Sequence, residues 1–158
     1  MEEKILVNNE VYMTVPEGFH VMIEEELRQL FGDADPARWG LWDKERHIMV
    51  ILDWKEYSPL TLKLTNVKKI ATQNERIMEK GYKNNTFRLE GFFSAQVDGH
   101  EAEGYRYTYQ VQGIGQKAES LLMIQKHTVY RLSFIGRTEN EAADEPLYEE
   151  LRSGLSFA

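Results

Sequence analysis

FRLEGFFSAQVDGHEAEGYRYTYQV, from Phe87 to Val111, decides the fold. Its two limbs meet at Asp98-Gly99, a pair that tolerates the positive φ angles of a two-residue type I′ turn, so the stretch predicts an antiparallel hairpin. With Val97 opposite His100, one face gathers Phe87, Leu89, Phe93, Ala95 and Val97 against Ala102, Gly104 and Thr108. Phe93 then falls across from Gly104, whose missing side chain leaves room for the ring. That face is expected to be core, and Phe93→Ala to cost about 3 to 5 kcal/mol. The other face sets Arg88, Glu90 and Phe92 against Tyr109, Tyr107 and Tyr105. In one reading the helix ending at Gly81 covers the tyrosine rings. In the other, the end near Arg88 and Tyr109 stays open and forms, with Tyr107, a partner-binding patch of the kind enriched at interface hot spots.

Outward from the hairpin, Gly113 and Gly115 turn the chain into a strand at about 117 to 126, and VYRLSFIG continues as another at about 129 to 136. Four strands in sequence make an antiparallel meander. Leu121 to Ile124 are apolar at successive positions, which requires cover on both faces of the sheet and predicts a three-layer α/β/α sandwich of the α+β class. Upstream, Ile5 to Val7, Asn8-Asn9 and Val11 to Val15 read as an opening hairpin. A helix is expected over about 22 to 31, with Glu24, Glu25 and Glu26 at its positive end and Gly32 as its C-cap. RWGLWD and HIMVILDW form two strands whose shared face holds Trp39, Leu41, Ile48, Val50, Leu52 and Trp54. From Ser58 to Gly81, helical spacing of Leu60, Leu64, Val67, Ala71, Asn74 and Met78 predicts one long helix. Thr138 to Glu141 matches a capping box, and the last helix is expected to hold its best turns between Pro146 and Ser153. Leu155 and Phe157 pin the C-terminus.

At 158 residues and 42% hydrophobic, the chain suits a single domain, 1–158, with a real core. A net charge of -7 argues against nucleic acid and anionic membranes as partners. No cysteine is present, which removes disulfides, thiolate nucleophiles and thiolate metal sites together. The acidic N-terminus lacks signal-peptide features, so the protein is expected in the cytoplasm if Met1 is the natural start, and outside it if a signal segment was trimmed.

PEGF after the opening strand, Val97-Asp-Gly99 with Ala102 and Tyr107, VYRLSFIG and a closing LSF together resemble the PsbP-like fold. That superfamily groups the photosystem II subunit PsbP, a Ran-binding nuclear import factor and many bacterial proteins of unassigned function. The resemblance covers roughly positions 11 to 157 and implies an antiparallel sheet between helical layers. It brings no catalytic motif. It implies a partner-binding or assembly role, and some members bind metal ions. Many bacterial relatives carry a lipoprotein or secretion signal that this sequence does not show.

Chemistry is sparse. The histidines at 20, 47, 100 and 127 include no pair at the i, i+4 spacing of a zincin and read as loop residues. Asp33 and Asp35 read as a capped turn, since a calcium loop needs more oxygen ligands and a closing glutamate. No serine lies in a GxSxG context, and Gly113-Ile-Gly115 lacks the setting of a dinucleotide loop. Trp39 and Trp54 belong to the core, whereas Trp42 points the other way, beside His47, and is a candidate surface residue. No cofactor is expected. The sequence therefore predicts a non-catalytic protein- or macromolecule-binding module, with Arg88, Tyr107, Tyr109 and Trp42 as partner-binding candidates. A small-molecule or metal-ion carrier or sensor is the alternative, and a hydrolase or lyase built from Glu and His side chains the third reading.

Overall fold

A computed structural model describes residues 3–158. The central hairpin forms between β6 (Arg88–Val97) and β7 (His100–Val111), paired through Val97 and His100, with Asp98 at φ 49° and Gly99 at φ 78° in the turn. The chain continues into β8 (Ile114–Gln125) and β9 (Thr128–Arg137), completing the meander. Beyond β9 lie β5 (Ile48–Glu56), β4 (Arg38–Asp43) and the short β3 (His20–Val21), giving a seven-stranded antiparallel sheet in the order β3-β4-β5-β9-β8-β7-β6.

Both faces of this sheet are covered, as the apolar run in β8 requires. On one, Leu41, Val50, Leu52, Leu121, Met123, Leu132 and Phe134 are buried under α4 (Glu141–Gly154) and a small sheet of β1 (Glu3–Val7), β2 (Val11–Val15) and β10 (Ser156–Phe157). On the other, α3 (Val67–Gly81) covers the tyrosines of β7 with Val67, Ile70 and Ala71, and α1 (Glu24–Phe31) seals the β4–β5 end with Leu27 against Ile51 and Met22. The architecture is α+β in three layers, one outer layer being half helix and half small sheet. The C-terminus is pinned as expected: Leu155 is buried and Phe157 pairs with Val11.

Three local expectations need correcting. The stretch from Ser58 is two helices, α2 (Pro59–Lys63) and α3, because Asn66 takes an extended conformation and its side chain caps the Lys69 N–H at 2.9 Å. The last helix starts at Glu141 and runs through Pro146, and the capping box does not form, since Thr138 lies in a short 3₁₀ turn ahead of the helix and the N-cap falls on Asn140, which makes no side-chain bond. The third correction lies in β6. A bulge between Leu89 and Gly91 shifts the register by one residue, so Leu89 faces Tyr107 and Arg88 faces Thr108. A one-residue slip exchanges the two faces of a strand. Phe87 therefore leaves the Phe93 side and stacks on Tyr107, with ring centroids 5.3 Å apart. Between the bulge and the turn the expected faces hold: a Cβ built on Gly104 would meet the Phe93 ring at 2.5 Å.

Candidate functional site

The β7 tyrosines are interior. Tyr107 is 1% and Tyr109 6% exposed, and Tyr109 stacks between Tyr107 and Tyr82, the latter 4.7 Å away. Burial pushes the Tyr107 hydroxyl up to about 12 and raises Tyr105 and Tyr109 further, so all three are neutral phenols at physiological pH. This part of the face is packing, as the covered reading has it. Arg88 is exposed, but the bulge separates it from Tyr109, so these residues do not form one patch. Trp42 is half-buried against Met22, Leu27 and Ile51, with its ring 6.3 Å from His20 rather than beside His47, and the Lys44 amine lies 4.6 Å over it.

Open surface on the same side of the sheet lies elsewhere. Because α1 covers β4 and β5 at one end while α3 lies over β7 and β8, a strip over β5 and β9 is left without a helix. Its floor is Asp53 and Arg131, cross-strand neighbours joined through Asp53 Oδ2, which accepts from Arg131 Nε at 3.1 Å and Nη2 at 2.7 Å. Burial alone would lower the Arg131 pKa, but the adjacent Asp53 carboxylate reverses that and raises it, so the guanidinium stays charged. Above this pair opens a cleft of about 260 Å³ walled by Tyr57, Val129 and the α3 residues Ile70, Asn74 and Ile77. A second cleft of about 300 Å³ adjoins it, sharing Tyr57, Ile70 and Gln73 and extending to Leu64, Thr65 and Lys69. The Tyr105 hydroxyl donates to Asn74 Oδ1, which leaves the Asn74 amide nitrogen as the group able to donate toward the cleft.

Apolar side chains are uncovered along this groove. Leu64 is 75% and Ile77 66% exposed, and Leu60, one helical turn before Leu64, is 69% exposed, although helical spacing places all three on or beside the apolar stripe. For Leu60 and Leu64 the break at Asn66 is the reason, since it re-aims α2 and takes them off the line of Val67, Ile70 and Ala71. Sequence reading missed this site. The available signal was charge: from Tyr57 to Asn74 there are three lysines and no acidic residue, in a chain of net charge -7.

A second concentration of ionisable groups sits under α4. Glu119, 2% exposed, accepts from Arg106 Nε at 3.0 Å and from Arg152. Nearby, Asp144 Oδ2 and the Tyr148 hydroxyl are buried without hydrogen-bond partners, and both would contact a Cβ at Gly136. Burial raises the Asp144 pKa, and the nearby Asp43 adds to that while Arg46 opposes it. Asp33 and Asp35 form the capped turn, Asp35 accepting from the Ala37 N–H at 2.9 Å and Asp33 pairing with Arg38. No group of three His, Asp or Glu side chains is arranged to hold a metal among the described residues, and none of their helices is long and apolar enough to cross a membrane. The residues lining the groove include one carboxylate, Asp53, and no histidine.

No protein-family model matches the chain, and no curated protein matches it in sequence. Solved structures do match in shape. The cyanobacterial PsbP protein CyanoP from Synechocystis sp. PCC 6803 superposes with a TM-score of 0.74 at 10% identity, over 99% of this chain and 92% of that one. LpqN of Mycobacterium tuberculosis, described as involved in cell envelope biogenesis, gives 0.67 at 11% identity over 100% and 91%. The Ran-binding protein Mog1p of Saccharomyces cerevisiae gives 0.58 at 10% identity over 92% and 82%. The chain has the PsbP/Mog1-like fold. At these identities the likeness concerns the fold alone.

Proposed function

We propose that the protein is a non-catalytic module that binds another macromolecule through the groove between α3 and the β5–β9 strip. The observation that carries this reading is the exposure of Leu64 and Ile77 in the walls of two adjoining open clefts, apolar surface gathered at a recess rather than scattered singly. Its fold supports the same direction, since one protein of similar shape is Ran-binding by its description. A photo-crosslinking amino acid placed at Leu64 or Ile77, in cells, tests it. Both positions should yield discrete adducts that the same amino acid at Glu149, exposed on α4, does not give. Identical adducts from all three positions would refute the assignment.

The carrier or sensor reading keeps one observation of its own. The cleft over the Asp53–Arg131 pair, about 260 Å³, falls just below the roughly 300 Å³ at which small-molecule sites begin, and the adjoining cleft extends it. A panel of small carboxylic acids should then raise the melting temperature of the protein but not of its Arg131→Met variant.

A further inference from the structure

The groove carries information about the chemistry of its occupant. Lys55 lines one cleft and Lys69 the other, and Lys63 and Lys68 adjoin the lining residues Leu64 and Lys69 in sequence. None of these four amines makes an ion pair among the described residues, whereas most of the arginines, together with Lys44 and Lys117, are paired. Asp53, the groove's one carboxylate, is already taken by Arg131. The groove is thus cationic, with Leu64 and Ile77 exposed along it and Tyr57 in its wall, on an otherwise acidic molecule.

Resting on the docking role above, we infer that the occupant is an acidic peptide segment of a partner protein, with apolar side chains interspersed among its carboxylates. Its apolar side chains cover Leu64 and Ile77, and its carboxylates seat against Lys69, Lys55 and the free amide nitrogen of Asn74. Along α3 from Val67 to Ile77 the helical rise gives roughly 15 Å, the length of four or five residues in extended conformation. Charge complementarity sets the class of partner. An anionic membrane would meet the same lysines, but the apolar residues flank a recess rather than crown a protrusion, and the net charge of -7 repels an extended anionic surface. A nucleic-acid strand is disfavoured by the same net charge, and of the aromatic lining residues Trp54 packs on the core and Tyr57 is half-buried, which leaves no open stacking platform.

The probe is a display library of random dodecapeptides selected against the folded protein, followed by calorimetry of the enriched sequences. Enriched peptides should be rich in Asp and Glu alternating with apolar residues, and changing those acids to Asn and Gln should weaken binding about tenfold or more. Lys55→Glu with Lys69→Glu should do the same, and so should Leu64→Ser with Ile77→Ser. All four side chains are exposed, so the melting temperature should hold. Peptides that need the groove but show no acidic excess would sink the charge assignment and leave the docking role standing. Failure to enrich any peptide, or binding indifferent to both double variants, would remove the two together. Co-sedimentation with phosphatidylglycerol–phosphatidylcholine vesicles, abolished by the lysine reversals, would replace the peptide with a membrane.

Discussion

Tyr109 exposes the difference between a side chain's chemistry and its position. An aromatic hydroxyl near the end of a hairpin suits an interface, yet here the ring is held between Tyr82 and Tyr107 under α3. Tyr109→Ala should lower stability by about 3 kcal/mol, as buried aromatic truncations do, and Tyr109→Phe should cost well under half of that in the same urea titration. Phe93 behaves differently from its sequence reading. It packs on the core but is only half-buried, with the Arg106 guanidinium 4.1 Å over its ring, so Phe93→Ala should fall near the lower end of the expected range, about 3 kcal/mol. Asp144 permits a test of sign. Its pKa is raised in the fold, so the stability it contributes is fully present below the unfolded carboxylate value and is lost as pH rises through the folded one. Asp144→Asn should therefore raise the urea midpoint at pH 7 and raise it less, or not at all, at pH 4. A larger gain at pH 4 would show that the carboxylate is stabilised as a charge.

Elements were legible wherever a local device and a long-range pattern agreed. The turn at Asp98-Gly99, the C-cap at Gly32, which sits at φ 83°, and the shared apolar face of β4 and β5 are all cases in which backbone preference and hydrophobic spacing point one way. Errors arose where a single polar residue broke a pattern that continued on both sides. Asn66 is an N-cap inside a run of helical spacing, and because the spacing survived it, Leu60 and Leu64 read as buried. Asn66→Ala should destabilise the protein by about 1 kcal/mol and speed hydrogen exchange in the first turn of α3. Gly91 is the other case. An isolated glycine within a strand pattern is a bulge signal, and this one adopts φ 159° next to the register shift. Missing it placed Arg88 opposite Tyr109 and assembled a patch that does not exist. The groove was not legible from periodicity because it is a gap between two helices, set by how far α1 and α3 reach across the sheet.

At the scale of the molecule, the small sheet joins the two ends of the chain. Phe157 pairs with Val11, the Ala158 N–H donates to the Glu10 carbonyl at 2.8 Å, and the Phe157 N–H reaches Asp98 Oδ2 at 2.9 Å. The Asp98-Gly99 turn, read from sequence as a reversal only, is thus also an anchor for the C-terminus, and His100 adds a tilted ring contact with Phe157 at 4.6 Å. Truncation after Gly154 should expose the β2 face of the core, lower the melting temperature by several degrees and increase dye binding to apolar surface. The same feature bears on the order of events in time. Loop-closure entropy grows with the length of chain enclosed, and the closing pair of the small sheet encloses almost the whole chain, so it has the least local help of any contact in the protein. The meander and the β1–β2 hairpin can assemble from neighbours, while the second edge of β2 has to wait for β10. Nascent chains should therefore pass through a state with the large sheet formed and one of its faces bare, and that face is where a chaperone would find them.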